Sequence, residues 1–133
     1  MPNSPKPPAI SDAEWDVMKL LWDHPGQWLP VAAIVDPVSQ RRGIHHRTAR
    51  TLLARLVKKG AAGVKSSDGK HLYHAKVTRD ACIRHASRSF LSRVFDGAVT
   101  PALVHFIEQA DLSPRQIADL KKILDAGEAG GRP

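Results

Sequence analysis

Apolar residues recur at helical spacing over most of this chain, and the exception is one short stretch of extended runs around a turn. Trp15, Met18, Leu21 and Trp22 fall on one stripe, which predicts a first helix to about Asp23. Ser11-Asp12-Ala13-Glu14 opens it as a capping box. The Ser11 hydroxyl can accept from the Glu14 amide while the Glu14 carboxylate accepts from the Ser11 amide, and Ile10 and Trp15 stand where a hydrophobic staple would. His24-Pro25-Gly26 ends it. Pro30 suits the first turn of a second helix over residues 30–35, burying Val31, Ile34 and Val35. Because Pro37 is unfavourable in a helix interior, that helix is expected to be short. Residues 38–43 then form a connecting loop carrying Arg41 and Arg42.

From His46 to Lys59, Ala49, Leu52, Leu53, Leu56 and Val57 form one core-facing stripe. The opposite face collects Arg47, Thr51, Arg55 and Lys58, flanked by Thr48 and Arg50. Gly60 stops this helix. Two short extended runs, 62–65 and 71–76, flank Ser66-Ser67-Asp68-Gly69-Lys70, and the Asp-Gly pair supplies the positive φ of a tight hairpin. After Thr78 three helices follow. Arg79 to Phe95 carries Cys82, Ile83, Ala86, Phe90, Leu91 and Val94. A second begins at Thr100-Pro101 and carries Leu103, Val104, Phe106 and Ile107. A third begins at Ser113-Pro114 and carries Ile117, Leu120, Ile123 and Leu124. A segment of about 50 residues buries little by itself. Its surplus of apolar positions therefore predicts pairing with a second copy through Phe90, Leu91, Val94, Leu103, Phe106, Ile107, Leu120, Ile123 and Leu124.

The expected architecture is mainly α with a small β-hairpin: a winged helix-turn-helix over residues 10–77 and a three-helix dimerisation region over 78–126. Pro-rich residues 1–9 and Gly-rich residues 127–133 are expected to be disordered tails. Helix, short helix, helix, hairpin is the element order of a winged helix.

Charge sharpens this picture. Residues 41–76 hold ten Lys or Arg against Asp68 alone, a local +9 (10 − 1) in a chain whose net charge is +7, so the remainder sums to −2. A basic block beside a balanced remainder points to one surface built for a polyanion. With the block falling on a helix and a hairpin, the polyanion is double-stranded DNA. Residues near the N-terminus of a recognition helix usually reach base edges, so Arg47, Thr48, Arg50 and Thr51 lead the candidate contacts, followed by Arg55 and Lys58. Lys65, Lys70 and His71 would touch backbone or minor groove from the wing.

Several function classes recede. No nucleophile elbow, Gly-rich phosphate loop or HExxH occurs, so no enzyme is expected. Cys82 is the only cysteine, which excludes an intramolecular disulfide and suits a reducing cytosol, hence a cytoplasmic protein. No apolar run approaches the ~18–20 residues that span a bilayer, and the first residues lack a signal-peptide core, so no direct membrane association is expected. His71-x-x-His74 and Cys82-x-x-His85 have ligand-like spacing. His74 packing in the hairpin and a buried Cys82 are the simpler account, so no metal or other cofactor is assigned. Trp15 and Trp22 belong to the core stripe, whereas Trp28 could cover the edge of the wing.

ISDAEWDVMKLLWDHP, RTARTLLARLVKKG, SFLSRVFDG, LVHFIEQADLS and IADLKKIL together resemble the BlaI/MecI penicillinase-repressor family from Ile10 to about Leu124. The resemblance implies a homodimeric winged-helix repressor bound to a palindromic operator ahead of β-lactam resistance genes. It places Arg47, Thr48, Arg50 and Thr51 in the recognition helix. It also implies release by a membrane sensor-protease, with the matching bond at His105–Phe106, although His105 stands where family examples carry Asn. Residues 35–44 depart from the family pattern, and His45 replaces a good N-cap residue. Copper-responsive relatives carry a Cys-rich C-terminal motif absent here. A metal-responsive repressor and a winged-helix interaction adaptor are the alternative functions.

Overall fold

The structure is a computed structural model that describes residues 7–129; the remainder of both expected tails lies outside the described residues. Its elements are α1 (Asp12–Trp22), β1 (Leu29–Pro30), α2 (Val31–Arg42), α3 (His46–Lys59), β2 (Ala62–Ser67), β3 (Lys70–Ala75), α4 (Arg79–Phe95), α5 (Val99–Gln109) and α6 (Pro114–Ala129). The chain divides into two compact units between Ser89 and Phe90, inside α4 and beyond Val77.

In the first unit α1 begins with the expected capping box. The Glu14 amide donates to the Ser11 hydroxyl at 3.2 Å and the Ser11 amide donates to the Glu14 carboxylate at 2.9 Å. The buried stripe of α1 is Glu14, Val17, Met18 and Leu21. Trp15 and Trp22 lie at its margin, half-buried, with their rings edge-on at 5.5 Å. A half-buried indole keeps a polar handle within reach of a partner, and Trp22 Nε1 donates to the Val77 carbonyl at 3.0 Å.

The second helix is longer than expected. It continues through Pro37 to Arg42 and ends on Gly43 in the left-handed region, while Pro30 precedes it as the N-cap. Proline at position 37 removes the bond to the Ala33 carbonyl and costs about 3 kcal/mol. Ala33 is exposed, so water can serve that carbonyl. Continuing the helix buries Val38 and Ser39 beside Ile34 and Val35. Burial of Val38 contributes roughly 1.5–3 kcal/mol, comparable to the proline cost, and the two hydrogen bonds between Ser39 and Ile44 add to it. The loop expected over residues 38–43 is therefore the last turn of α2.

Helix α3 spans the expected residues and buries Ala49, Leu52, Leu53 and Leu56 against α1 and α2; Gly60 closes it with φ 84°. The hairpin turns at Asp68 (φ 50°) and Gly69 (φ 75°), two positive-φ residues that match the twist of the strands. A third, unexpected strand completes an antiparallel sheet of order β1-β3-β2, in which Leu29 faces Tyr73 and Pro30 faces Leu72. Proline is tolerated there because β1 is an edge strand.

The second unit comprises the end of α4 with α5 and α6. Ser113 and Gln116 form a reciprocal cap at the start of α6 (2.9 and 3.1 Å). The helix runs to Ala129, which corrects the tail expected from residue 127. One glycine in a propagating helix costs only about 1 kcal/mol, so Gly127 does not end it. Ala102 is the one buried residue among the described residues of this unit.

Glu14 has a second role. Its carboxylate, 2% exposed, meets Lys59 Nζ at 2.5 Å, tying the first turn of α1 to the last turn of α3. Burial alone pushes the Glu14 pKa upward. Lys59 and the Ser11 hydrogen bonds outweigh burial and hold it below the ordinary 4.5. A lowered carboxylate pKa stabilises the fold above the unfolded value, and that contribution disappears as pH falls through the folded value. Glu14→Gln is expected to cost about 1–3 kcal/mol, less than a fully buried pair because Lys59 remains partly in water. In urea titrations at several pH values, the penalty should shrink below about pH 4.5. An equal penalty at every pH would remove the ion pair from the account.

Candidate nucleic-acid interface

The outward face of α3 presents Arg47, Thr48, Arg50, Thr51, Arg55 and Lys58, all exposed. Among the described residues, none of these four cations is in an ion pair. Their donors are free for an external acceptor. Thr51 differs, because its hydroxyl donates back to the Arg47 carbonyl at 3.0 Å. In that rotamer it offers lone pairs and a methyl group outward, which suits a base donor or a thymine methyl better than a phosphate.

The turn ahead of α3 is firmly tied. The buried Ser39 hydroxyl donates to the Ile44 carbonyl, and the Ile44 amide donates to the Ser39 carbonyl at 3.1 Å. His46 Nε2 lies 3.0 Å from Asp36 of α2. Arg41 and Arg42 are both exposed, but the Arg42 guanidinium is engaged by Asp16 of α1 at 2.7 Å. His45, expected to be a poor substitute for an N-cap residue, is itself the cap: its Nδ1 accepts from the Arg47 amide at 2.9 Å.

On the wing, register separates the candidates. Ser67 pairs with Lys70, Ser66 with His71 and Lys65 with Leu72. Side chains alternate between faces, so Lys65 and Lys70 share one face and His71 lies on the other. All three are exposed. The Lys65 ammonium sits over the Trp28 ring, 4.5 Å from its centroid, and Trp28 stacks on His74 at 3.8 Å. Burial, then Lys76 and Lys65, push the His74 pKa down, which favours the neutral ring that stacks. Trp28 thus covers the outer face of the wing, and His74 belongs to packing. Cys82 is buried, and burial raises its thiol pKa. Among the described residues, no group of three or more His, Cys, Asp or Glu converges.

The penicillinase repressor family model matches residues 10–126. The chain belongs to the penicillinase repressor family. A penicillinase repressor of Bacillus licheniformis is 32% identical over 120 residues, covering 90% of this chain and 92% of that protein. The methicillin resistance regulatory protein MecI of Mammaliicoccus sciuri is 30% identical over 116 residues, covering 87% and 93%. The solved DNA binding domain of the repressor BlaI superposes with a TM-score of 0.50 at 30% identity, over 56% of this chain and 88% of that domain. This member of the family has the winged-helix fold. No single helix among its described residues is long and apolar enough to cross a membrane.

Trp28 covers the wing and His74 packs in the hairpin as expected, and two details go beyond the sequence: the Asp36–His46 bridge and the stacking partners of Trp28. The Asp36–His46 bridge is hidden because a loop was expected where α2 continues. The Trp28–His74–Lys65 stack needs the β-register, although a tryptophan just before an edge strand is a usable signal. The stack also explains Gly63. A Cβ at Gly63 would lie 2.6 Å from His74 Nε2 and 2.8 Å from Cδ2. Gly63→Ala is therefore expected to push His74 off Trp28 and cost about 1–3 kcal/mol. The check is a change in Trp28 and His74 ring resonances together with a lower urea midpoint. Unchanged ring resonances would show that the ring has room to spare.

Proposed function

We propose that this protein is a homodimeric transcriptional repressor, without catalytic activity, that occupies a palindromic operator of β-lactam resistance genes. The observation that carries the reading is the exposed, unpaired Arg47, Arg50, Arg55 and Lys58 on the face of α3 opposite the core. The named relatives support the class of gene. Arg47, Thr48, Arg50 and Thr51, in the first two turns, contact base edges in the major groove. Arg55 and Lys58 contact the phosphates that flank it. Lys70 and His71, beside the turn of the wing, contact backbone. Lys65 acts first by holding Trp28 and contacts phosphate second. The region bounded by residues 10–77 binds DNA, and residues 78–126 dimerise.

Dimerisation is supported by what the second unit leaves uncovered. Phe90, Val94, Leu103, Phe106, Ile107, Leu120, Ile123 and Leu124 are all exposed, and Leu91 is half-buried. Monomeric proteins rarely leave so many large apolar side chains together in water. A second copy placed on these helices would cover them and present two reading helices to one palindrome. Release by a membrane sensor-protease at His105–Phe106 requires local opening, because that bond lies within α5. His105 packs on Phe95 (5.6 Å) and Phe106 on Phe90 (5.9 Å). Cutting there would detach α6 and half of the apolar surface from the DNA-binding part. Each half-site would then be bound without the other.

Operator affinity is expected to fall steeply with salt, because several phosphates per protomer are neutralised. Arg50→Ala should cost about 1–3 kcal/mol on operator and little on random DNA, measured by fluorescence anisotropy on both. An equal loss on both would make Arg50 a phosphate contact. Leu120→Asp with Ile123→Asp should yield a monomer in sedimentation at micromolar concentration and weaken operator binding, with α3 unaltered. A dimer persisting in that variant would place the interface elsewhere.

A further inference from the structure

Every other helix start with a side-chain cap here uses a hydroxyl: Ser11 for α1, Thr78 for α4 and Ser113 for α6. Helix α3 uses an imidazole. His45 has extended backbone (φ −67°, ψ 149°), its carbonyl accepts from the Ala49 amide at 3.1 Å, and its Nδ1 accepts from the Arg47 amide at 2.9 Å. A ring nitrogen accepts a hydrogen bond only through an unprotonated lone pair, so this cap exists only while His45 is neutral. The imidazolium cannot accept, and it would bring positive charge to the positive end of the helix dipole.

We propose that His45 is a positioning residue for DNA reading, whose neutral ring holds the first turn of α3, so that protonation of that ring weakens operator binding. The proposal rests on α3 being the reading helix. The turn held by the cap carries Arg47 and Thr48, with Arg50 immediately after it.

The surrounding charges do not restore the bond. The charged or titratable groups nearest in sequence are Arg41, Arg42, His46 and Arg47, two of which engage Asp16 and Asp36. Asp16 is taken by Arg42 and Asp36 by His46. The His46 ring meets His45 edge-on at 6.4 Å. Among the described residues, no carboxylate is bonded to His45 to stabilise its charged form. The neighbouring histidine has the opposite requirement. His46 Nε2 faces the Asp36 carboxylate, which only accepts, so that contact needs a proton on Nε2. Acid therefore spares the bond from α2 to the first residue of α3 while it removes the cap.

The test compares the full-length wild type with His45→Asn, which caps without titrating, and His45→Ala, which does not cap. Hydrogen exchange of the Arg47 amide, measured without DNA, should rise from about pH 8 to about pH 5.5 beyond its intrinsic pH dependence in the wild type only. His45→Ala should exchange fast at both values and His45→Asn slowly at both. On operator DNA the wild type should lose about fivefold in affinity over the same range relative to His45→Asn, the equilibrium equivalent of one typical N-cap. At about pH 8, His45→Ala should already show that loss. Wild-type exchange that follows His45→Asn at both pH values would overturn the cap. Wild-type affinity that rises on acidification relative to His45→Asn would make His45 a phosphate contact instead. Absence of operator binding in all three proteins would refute the DNA reading while the exchange result still decided the cap.

Discussion

The Glu14–Lys59 pair fixes where α3 sits along its own axis. A helix that packs through Ala49, Leu52, Leu53 and Leu56 is held in rotation by those four side chains, but sliding along its axis changes apolar contact only gradually. A buried carboxylate bound to the last turn of α3 resists such sliding. Leaving that carboxylate unpaired costs several kcal/mol, and its other ligands belong to the α1 capping box. Lys59 also donates to the Ala9 carbonyl at 2.9 Å, which draws the entering chain onto the same point. One side chain thus caps α1, anchors α3 and seats the segment ahead of both.

Features set by local chemistry were legible from residue order alone. Ser11-x-x-Glu14 predicted a cap because its partners are three residues apart, and Asp68-Gly69 predicted a turn because few other pairs tolerate two positive φ values. The stripe of α3 was equally plain, since seven charged or hydroxyl residues leave one way to bury the helix. Illegible features depended on residues far apart in the chain. Nothing local to Pro37 reveals that Val38 and Ser39 will be buried, and burial is what carries α2 past the proline. The second role of Glu14 is invisible beside Ser11, because its partner lies forty-five residues away. His45 is hard to recognise for a different reason: its residue type is not among the usual N-caps, whereas capping requires only an acceptor at the right distance.

The basic block likewise resolves into parts with different work. Arg42 and Lys59 are committed to Asp16 and Glu14 of α1, and Lys65 is committed to Trp28. Three of the ten positive charges in residues 41–76 are therefore structural at least in part, so local charge overstates the number of DNA contacts available. The unpaired ones concentrate on α3. The second unit shows the complementary imbalance, with apolar helices that bury a single alanine among the described residues. Each unit is incomplete alone, one presenting unpaired cations and the other uncovered apolar side chains, and the proposed dimer on DNA would supply a partner for both.

The two ends of α3 are secured by different chemistry, and the difference has a direction. At the C-terminal end a lowered carboxylate pKa keeps the Glu14–Lys59 pair ionised well into acid. At the N-terminal end the acceptor is an imidazole, the side chain whose protonation changes nearest neutrality. The end that carries Arg47 and Thr48 is therefore held by a bond that protonation of a ring removes, and the other end by an ion pair that needs its carboxylate charged. The first turn of α3 can lose its order while the core stays intact, because its cap and the Glu14–Lys59 anchor depend on different groups, the one on an unprotonated nitrogen lone pair and the other on a charged carboxylate.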